Sequence, residues 1–338
     1  MIATLDFLLI FLLLTVPVYW LLPDRMFALR EGFLVAASTL LIFSLSPIIL
    51  IWLGVYVLAI GAFVLAWKMG VPAAFLKAAS WLFFVPLALI ELVDSADFAQ
   101  WILGPLDGAD PNFTLHAYLG ASYCAVRSFL IVRDGLSRGA FRMMSSINAL
   151  TFFGSFIAGP IAGSNLFVRE AVAPRLTLDH VVVGLCRIGW GAAIYLVLKP
   201  WIVDLKLPAV SSLQAAFAWL DMYRKFLTLY IDFAGYSEVA IGIAMLFGIR
   251  LPENFNNPLV STSIQEFWQR WHMSLGAFIS TYLFKPMVRA FGRPQLAMLA
   301  AFTLVGVWHS VTPTYLIWGL GHGTALFLNM EYRKRAAA

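Results

Sequence analysis

Repeated apolar runs of about 18 residues or more are the feature that most constrains how this chain folds. Hydrophobic residues make up 61% of its 338 residues and charged residues only 12%, whereas a soluble domain is roughly a quarter charged. Inside a bilayer each backbone polar group must bond within the protein, and helices achieve this along their own length. We therefore predict an all-α, polytopic transmembrane protein with about 9 to 11 membrane helices and additional re-entrant or interfacial helices.

The apolar runs also predict where the chain crosses the membrane. Candidate helices lie near residues 5–22, 31–46, 48–67, 73–92, 113–132, 145–163, 178–201, 208–230, 233–249, 295–310 and 313–331. The first run, Phe7–Leu22, has no basic residue before it, so we interpret it as a membrane helix rather than a cleaved signal peptide. Glycine and proline interrupt the run Phe152–Pro160, which favours a re-entrant segment. No linker or internal repeat is detectable, so residues 1–338 are interpreted as one integral membrane domain.

Charged residues between the runs predict the orientation. Basic residues occur in Asp24–Glu31, Lys68–Lys77 and Arg133–Arg142, whereas Glu91–Asp110 is acidic and carries no base. Because basic loops favour the cytoplasm, the N-terminus is predicted outside and the C-terminus, with Arg333–Arg335, inside. The net charge of +5 is scattered over these loops. Without a basic patch interleaved with aromatic residues, it does not predict a nucleic-acid partner.

Two carboxylates, Asp232 and Glu238, fall in an apolar region. On a first, functional interpretation they form a proton path or bind a polar group. On a second, structural interpretation they are acids at helix ends that pair with a nearby base. On the second interpretation, the candidate partners are Arg224, Lys225 and Arg270.

The segment Leu251–Gly323 carries the residues with chemistry. It opens with a polar run, Pro252–Pro258, after which Ser263 and Glu266 have the spacing of a capping box, so we predict a helix that begins at Ser263. Continued as one helix, it places one group on an apolar face and another on a polar face. The apolar group is Phe267, Trp271 and Phe278, and the polar group is Gln265, Gln269 and His272. Glu266 and Arg270 have the i, i+4 spacing of a favourable ion pair.

Three of the five histidines lie in this segment, at His272, His309 and His322. An imidazole at membrane depth is costly unless it has a partner or a task. Their spacing matches no known metal motif, so no metal site is predicted.

Several short motifs follow one another in order and together resemble a known family. They are Phe152–Ile161, Asp232–Ser237, Ala240–Gly242, Pro252–Asn256, Phe267–Leu275, Gly306–His309 and Trp318–Gly323. This series is similar to the membrane-bound O-acyltransferase family, in its bacterial branch of alginate and peptidoglycan O-acetyltransferases and teichoic-acid D-alanyltransferases. The resemblance covers roughly residues 115–330, and its strength comes from the order of the motifs.

The resemblance implies a funnel-shaped multi-helix protein in which a cytoplasmic acyl thioester meets an acceptor hydroxyl from the other side. The family's catalytic histidine corresponds to His309, and its second polar residue corresponds to His272. An imidazole suits the role of base because its pKa lies near working pH. We expect further residues to bind substrate or line the site, namely Trp308, His322, Trp271, Arg270, Ser274, Asn257 and Ser310.

The predicted function is therefore transfer of an acyl group to a hydroxyl of an extracytoplasmic or secreted glycan, with acetyl as the first candidate. The protein itself is expected in the bacterial inner membrane. Acetyl-CoA or an acyl-carrier thioester is the expected donor, with no permanently bound cofactor. The expected partners are the glycan acceptor, an extracytoplasmic transferase and membrane lipid. Two alternatives stay open: transfer of D-alanyl or another acyl group from a carrier protein, and a non-catalytic scaffold in polysaccharide export.

Overall fold

A computed structural model describes residues 5–45, 47–87, 113–156, 159–169, 171–173, 175–203 and 214–336. Regular structure in these ranges is helical, without a strand. The first seven α-helices are α1 (Leu5–Leu21), α2 (Phe27–Leu45), α3 (Pro47–Lys68), α4 (Ala73–Ala79), α5 (Phe113–Arg138), α6 (Met143–Thr151) and α7 (Leu178–Ala193). The remaining helices are α8 (Gln214–Leu246), α9 (Ile264–Arg270), α10 (Met273–Ile279), α11 (Lys285–Phe291), α12 (Pro294–His309) and α13 (Pro313–Ala336).

Within the described ranges, four helical stretches are long and apolar enough to cross a membrane: Asp24–Ser44, Ile49–Lys68, Leu178–Val203 and Ala218–Leu246. Shorter apolar helices cover Leu8–Leu21, Ala73–Leu87 and Pro294–His309. These confirm the predicted polytopic helical membrane protein. The acidic segment Glu91–Asp110 lies outside the described residues.

Contacts divide the chain into two compact units. The first unit comprises Met1–Leu65 and Leu130–Pro252, and the second comprises Ala66–Phe129 and Glu253–Ala338. The interpretation of residues 1–338 as one integral domain stays a prediction.

In the first unit, α7 and α8 pack backbone to backbone. A Cβ on Gly191 would lie 2.5 Å from the Gly235 carbonyl oxygen, and one on Gly242 would lie 2.6 Å from that of Gly184. Small residues at such positions allow membrane helices to approach closely. A π-helical turn, Ile194–Leu198, then continues α7 into a short helix, Lys199–Val203.

The same helix pair holds both apolar-region carboxylates. Arg187 Nη1 lies 3.1 Å from Glu238 Oε2, and Lys199 Nζ lies 2.7 Å from Asp232 Oδ1. A basic partner for each acid agrees with the second interpretation, but the candidate partners were wrong. Arg224 and Lys225 pair with Asp221 instead. The prediction of two helices near 208–230 and 233–249 was also wrong, because the paired carboxylates let α8 run unbroken through Leu246.

The predicted helix near 145–163 is shorter in the structure. Helix α6 ends at Thr151, and the described residues that follow form turns and loop. Phe152 and Phe153 are buried, and their rings contact that of Phe247. The helix therefore ends before Gly154 and Pro160, which agrees with an interrupted rather than a crossing segment.

In the second unit, α12 and α13 form an antiparallel pair joined by a short turn. Gln295 Nε2, near the start of α12, donates to Glu331 Oε1, near the end of α13, at 2.6 Å. A Cβ on Gly306 would overlap the Tyr315 carbonyl oxygen, and one on Gly319 would lie 2.6 Å from the Phe302 carbonyl oxygen. These two glycines bring the C-terminal end of α12 against the first half of α13.

The predicted helix at Ser263 begins there but does not continue through Phe278 as one element. Ser263 Oγ accepts from the Glu266 N–H at 3.1 Å, which confirms the cap. Helix α9 then ends at Arg270, and α10 starts at Met273. The faces predicted for one long helix were therefore wrong, because a backbone break separates the two short helices.

Candidate active site

The break between α9 and α10 is centred on His272. Its backbone is left-handed, with φ 44° and ψ 56°, after an extended Trp271. A residue other than glycine adopts this conformation at a cost, although histidine tolerates it better than most. Two backbone bonds to the preceding loop stabilise the break, from Met273 N to the Asn254 carbonyl oxygen and from Asn256 N to the Arg270 carbonyl oxygen, both at 2.9 Å. The loop thus turns the His272 side chain out of the helical register.

Asn254 holds the side chains on either side of this break. It is fully buried, and its Oδ1 lies 3.0 Å from His272 Nδ1. The same oxygen accepts from Ser274 Oγ at 2.6 Å. His272 and Ser274 are themselves buried. Two predicted site residues are therefore connected by an asparagine that the prediction did not include.

His309 is the last residue of α12 and lies among aromatic rings. Its imidazole stacks on Tyr315 with centroids 5.7 Å apart, meets the edge of Trp318 at 5.5 Å, and lies 4.7 Å from Trp308. Ser310 follows in extended conformation, and its N–H donates to the Gly306 carbonyl oxygen at 3.2 Å. The end of an apolar helix thus presents an imidazole inside an aromatic cage.

Trp318 connects His309 to the third histidine. Its ring lies 4.7 Å from His322, and Trp268 meets His322 edge to face at 5.2 Å. We call these six residues the aromatic cluster: Trp268, Trp308, His309, Tyr315, Trp318 and His322. Two buried nitrogens in it, Trp268 Nε1 and His322 Nδ1, have no hydrogen-bond partner in the part of the chain that the structure describes. Buried polar atoms are nearly always satisfied, so this cluster has capacity for a polar ligand or water.

The two predicted catalytic histidines lie near each other. His272 is close enough to His309 for their imidazoles to interact electrostatically. An apolar cavity of about 310 Å³ adjoins this region. Its lining includes Trp308 and Val305 from α12, Leu275 and Phe278 from α10, and Phe84. The second unit therefore brings together two imidazoles, a ring of indoles and an apolar cavity.

The other predicted site residues form the loop and its anchor. Trp271 is buried and stacks on Phe267 at 5.4 Å. Arg270 pairs with Glu266 at 2.6 Å, which confirms that predicted pair, and also donates to the Asn256 carbonyl oxygen at 3.4 Å. Asn257 is exposed and left-handed, with φ 46°. The contacts of Arg270 hold the loop, and a role of Arg270 or Asn257 in binding substrate stays a prediction.

Neighbouring groups bind both oxygens of the Glu266 carboxylate, in the first turn of α9. The Thr262 backbone N–H and hydroxyl donate to Glu266 Oε2 at 2.8 and 2.7 Å. With Arg270 on the other oxygen, these bonds lower the pKa of the Glu266 carboxyl below its usual value. The reciprocal bond of the cap thus goes to Thr262 rather than to Ser263. An ionised Glu266 fixes the start of α9 and, through Arg270, the loop that supports His272.

The prediction missed three residues that shape the site: Asn254, Trp268 and Trp318. A signal existed for Trp318, because it precedes His322 by four positions and so shares its helix face. Asn254 stood in a run that we interpreted as a polar loop and as one of the family motifs, with no role assigned to Asn254 itself. Its burial depends on contacts across the break at His272, which periodicity does not indicate.

Comparison with known proteins supplies the context for this arrangement. A teichoic acid D-alanyltransferase of Bacillus subtilis is 30% identical over 64% of this chain and 60% of its own length. A probable alginate O-acetylase of Azotobacter vinelandii is 31% identical over 68% of this chain and 48% of its own. A peptidoglycan O-acetyltransferase of Helicobacter pylori is 32% identical over 54% and 36%.

The aligned part of this chain thus spans about a third to three fifths of the length of these relatives. The profile of one family, described as MBOAT, membrane-bound O-acyltransferase, matches residues 33–338. That region includes the whole described part of the second unit, with both predicted catalytic histidines. The chain therefore belongs to the membrane-bound O-acyltransferase family.

Proposed function

We propose that this protein transfers an acyl group from a thioester to a hydroxyl of an extracytoplasmic glycan, with His309 as the base. Acetyl is the first candidate for the acyl group. The observation that supports this most is the pair of imidazoles, His272 and His309, close enough to interact electrostatically. Aromatic rings surround His309 and partly shield it from water. A neutral imidazole in such surroundings is able to accept a proton.

The proposed reaction is a direct transfer. The acceptor oxygen attacks the thioester carbonyl carbon while His309 takes the hydroxyl proton. The C–S bond then breaks, and the thiolate leaves with the proton that His309 returns. The products are an ester on the acceptor and a free thiol. The indole N–H groups of Trp268 and Trp308 are candidate donors to the developing oxyanion.

The donor and acceptor are proposed to reach this site from opposite sides of the bacterial inner membrane. The basic loops favour an outside N-terminus and a C-terminus in the cytoplasm, where acetyl-CoA or an acyl-carrier thioester is available. The names of two relatives, an alginate O-acetylase and a peptidoglycan O-acetyltransferase, favour a glycan acceptor. We expect an extracytoplasmic partner transferase. The remaining predicted lining residues, Trp271, Arg270, Ser274, Asn257, Ser310 and His322, are proposed to shape the acceptor and donor paths.

A second candidate is D-alanyl transfer from a carrier protein. The specific observation in its favour is the D-alanyltransferase of Bacillus subtilis, which is 30% identical over 236 residues. The chemistry at His309 would be the same, and only the donor's acyl group and carrier would differ. A non-catalytic scaffold is the third hypothesis, and two imidazoles without a task in an apolar site argue against it.

The deciding experiment uses the full chain purified in detergent with radiolabelled acetyl-CoA, alongside His309→Ala and His272→Ala. Acetyl transfer or thioester hydrolysis in the wild type, lost in folded His309→Ala, supports an acetyl-CoA enzyme with a histidine base. A parallel arm supplies D-alanyl thioester on a carrier protein. Turnover in that arm alone selects the second candidate.

Full activity in His309→Ala would refute the histidine base. If the folded wild type shows no acyl transfer and no thioester hydrolysis in either arm, neither proposed donor is used. That result would favour the scaffold hypothesis. A cellular test then separates the two. A strain carrying His309→Ala that loses only the acyl mark, with normal polysaccharide export, excludes the scaffold.

A further inference from the structure

Asn254 is the residue whose position the proposed function leaves unexplained. It is fully buried beside the break that carries His272, and it uses both its main chain and its side chain there. Its carbonyl oxygen accepts from Met273 N at 2.9 Å, and its side-chain Oδ1 lies 3.0 Å from His272 Nδ1. Ser274 Oγ donates to the same Oδ1 at 2.6 Å. A buried amide oxygen with two such neighbours is a fixed acceptor.

This acceptor determines which nitrogen of His272 carries the proton. An amide oxygen cannot donate, so a hydrogen bond between it and Nδ1 requires the proton on Nδ1. A neutral imidazole has only one proton, and Nε2 then carries the lone pair. The partner of one ring nitrogen thus sets the chemistry of the other, as it does for metal-bound and catalytic histidines.

We propose that Asn254 is a positioning residue that holds His272 as its Nδ1–H tautomer. In that form Nε2 accepts a hydrogen bond and cannot donate one. His272 therefore binds the acceptor's hydroxyl and orients it toward the thioester, and it does not bind the thioester carbonyl. This inference rests on the proposed function for its role in the reaction, whereas the tautomer itself depends only on the geometry at Asn254.

The backbone at the break adds to this assignment. The left-handed conformation of His272 fixes where its Cβ points, and the bond from Met273 N to Asn254 holds that conformation. One residue thus sets both the direction and the protonation pattern of the ring. Substituting it is expected to disturb acceptor orientation while leaving the thioester's binding surfaces intact.

The decisive measurement is the nitrogen NMR spectrum of the full chain labelled with ¹⁵N-histidine in detergent at neutral pH. The His272 signals are identified by their loss in His272→Gln. The expected result is a protonated Nδ1 and an unprotonated Nε2 in the wild type. An amide turned the other way would donate to Nδ1, so a protonated Nε2 overturns the inference. This arm needs no activity, so it is decided even if the proposed function fails.

The kinetic arm follows hydrolysis of radiolabelled acetyl-CoA, with water as the accepting hydroxyl. Asn254→Ala is expected to lower kcat roughly tenfold, about the value of one hydrogen bond, with KM for acetyl-CoA unchanged. Asn254→Asp keeps the acceptor and the size of the side chain, and is expected to restore the Nδ1–H form if the alanine variant folds poorly. The matched control is Asn256→Ala, which removes an exposed amide from the same loop and should leave both constants as in wild type.

A rise in KM for acetyl-CoA with kcat unchanged would overturn the role in acceptor orientation, because it would place His272 on the donor. An unaltered His272 spectrum in folded Asn254→Ala would overturn the positioning role. Loss of hydrolysis in every protein, including wild type, would count against acetyl-CoA as donor and leave the spectrum to decide the tautomer.

Discussion

The α7–α8 pair of the first unit and the aromatic cluster of the second both place polar groups in apolar surroundings, but they satisfy them differently. Between α7 and α8 each acid has a base, Arg187 with Glu238 and Lys199 with Asp232. In the aromatic cluster the polar atoms are imidazole and indole nitrogens and the Tyr315 hydroxyl. Two of these, on Trp268 and His322, are buried without a hydrogen-bond partner among the described residues.

We infer that this difference separates groups that stabilise the fold from groups that are available to bind or react. A paired charge inside a membrane protein is neutralised by its partner, and removing one partner leaves the other charge uncompensated. A neutral nitrogen without a partner costs stability but is able to bind a substrate atom. We therefore expect substitutions between α7 and α8 to change stability and those in the cluster to change turnover.

The largest expected effect is that of His309→Ala. Loss of a general base lowers turnover by about 10²- to 10⁴-fold. The half-buried ring is expected to contribute little to the free energy of unfolding. The measurement is acyl transfer per folded molecule. The matched control is His180→Ala in the first unit, where His180 Nδ1 lies 2.9 Å from Thr177 Oγ1 in the cap of α7. That variant should lose about 1 kcal/mol of stability with turnover unchanged. Wild-type turnover in His309→Ala would contradict the distinction between stabilising groups in the α7–α8 pair and reactive groups in the aromatic cluster.

The sequence predicted the helical membrane class and the Ser263 cap because those depend on composition and on neighbours within one turn. It also predicted the Glu266–Arg270 pair, for the same reason. It failed at the break after Arg270, since a left-handed His272 is stabilised by bonds to a loop 18 positions earlier in the chain. It likewise split α8 in two, because the bases that neutralise Glu238 and Asp232 come from α7 and from the short helix Lys199–Val203 that follows it. Errors thus occurred where distant segments satisfy local groups.

The next effect concerns the glycines that let helices touch in each region. Gly191→Ala forces a Cβ against the Gly235 carbonyl, and Gly319→Ala forces one against Phe302. Each should lower the free energy of unfolding by about 1 to 3 kcal/mol. Only Gly319→Ala should also lower turnover per folded molecule, because it moves Trp318 away from His309. Thermal unfolding and transfer assays on the same samples measure both.

The controls for these glycines lie in the same helices. A Cβ on Gly189 or on Gly321 meets no described atom within 4 Å. Gly189→Ala and Gly321→Ala therefore carry the same change in helix propensity without the overlap. Equal losses of turnover in Gly191→Ala and Gly319→Ala would show that both regions act on the site.

A smaller effect is expected from the ion pair of α7 and α8. Arg187 and Glu238 are each about a quarter exposed, at 27%, so removing one partner costs less than for a fully enclosed pair. We expect Glu238→Gln to lower the free energy of unfolding by about 1 to 2 kcal/mol. The double substitution Arg187→Met with Glu238→Leu should recover most of that loss. Unchanged stability in Glu238→Gln but reduced transfer would instead favour a proton path through this acid.

The smallest effect is a pH dependence at Glu266, which lies in α9 outside the candidate membrane spans. Bonds from Thr262 and the charge of Arg270 lower the folded-state pKa of this carboxyl below its ordinary 4.5. Its contribution to stability is therefore complete above that ordinary value and is lost as pH falls through the lowered folded pKa. The measurement is denaturant unfolding of wild type and Glu266→Gln from pH 7 downward. The two stabilities should differ at neutral pH and converge in acid, whereas a constant gap would show that the carboxylate's charge is not what anchors the loop beneath His272.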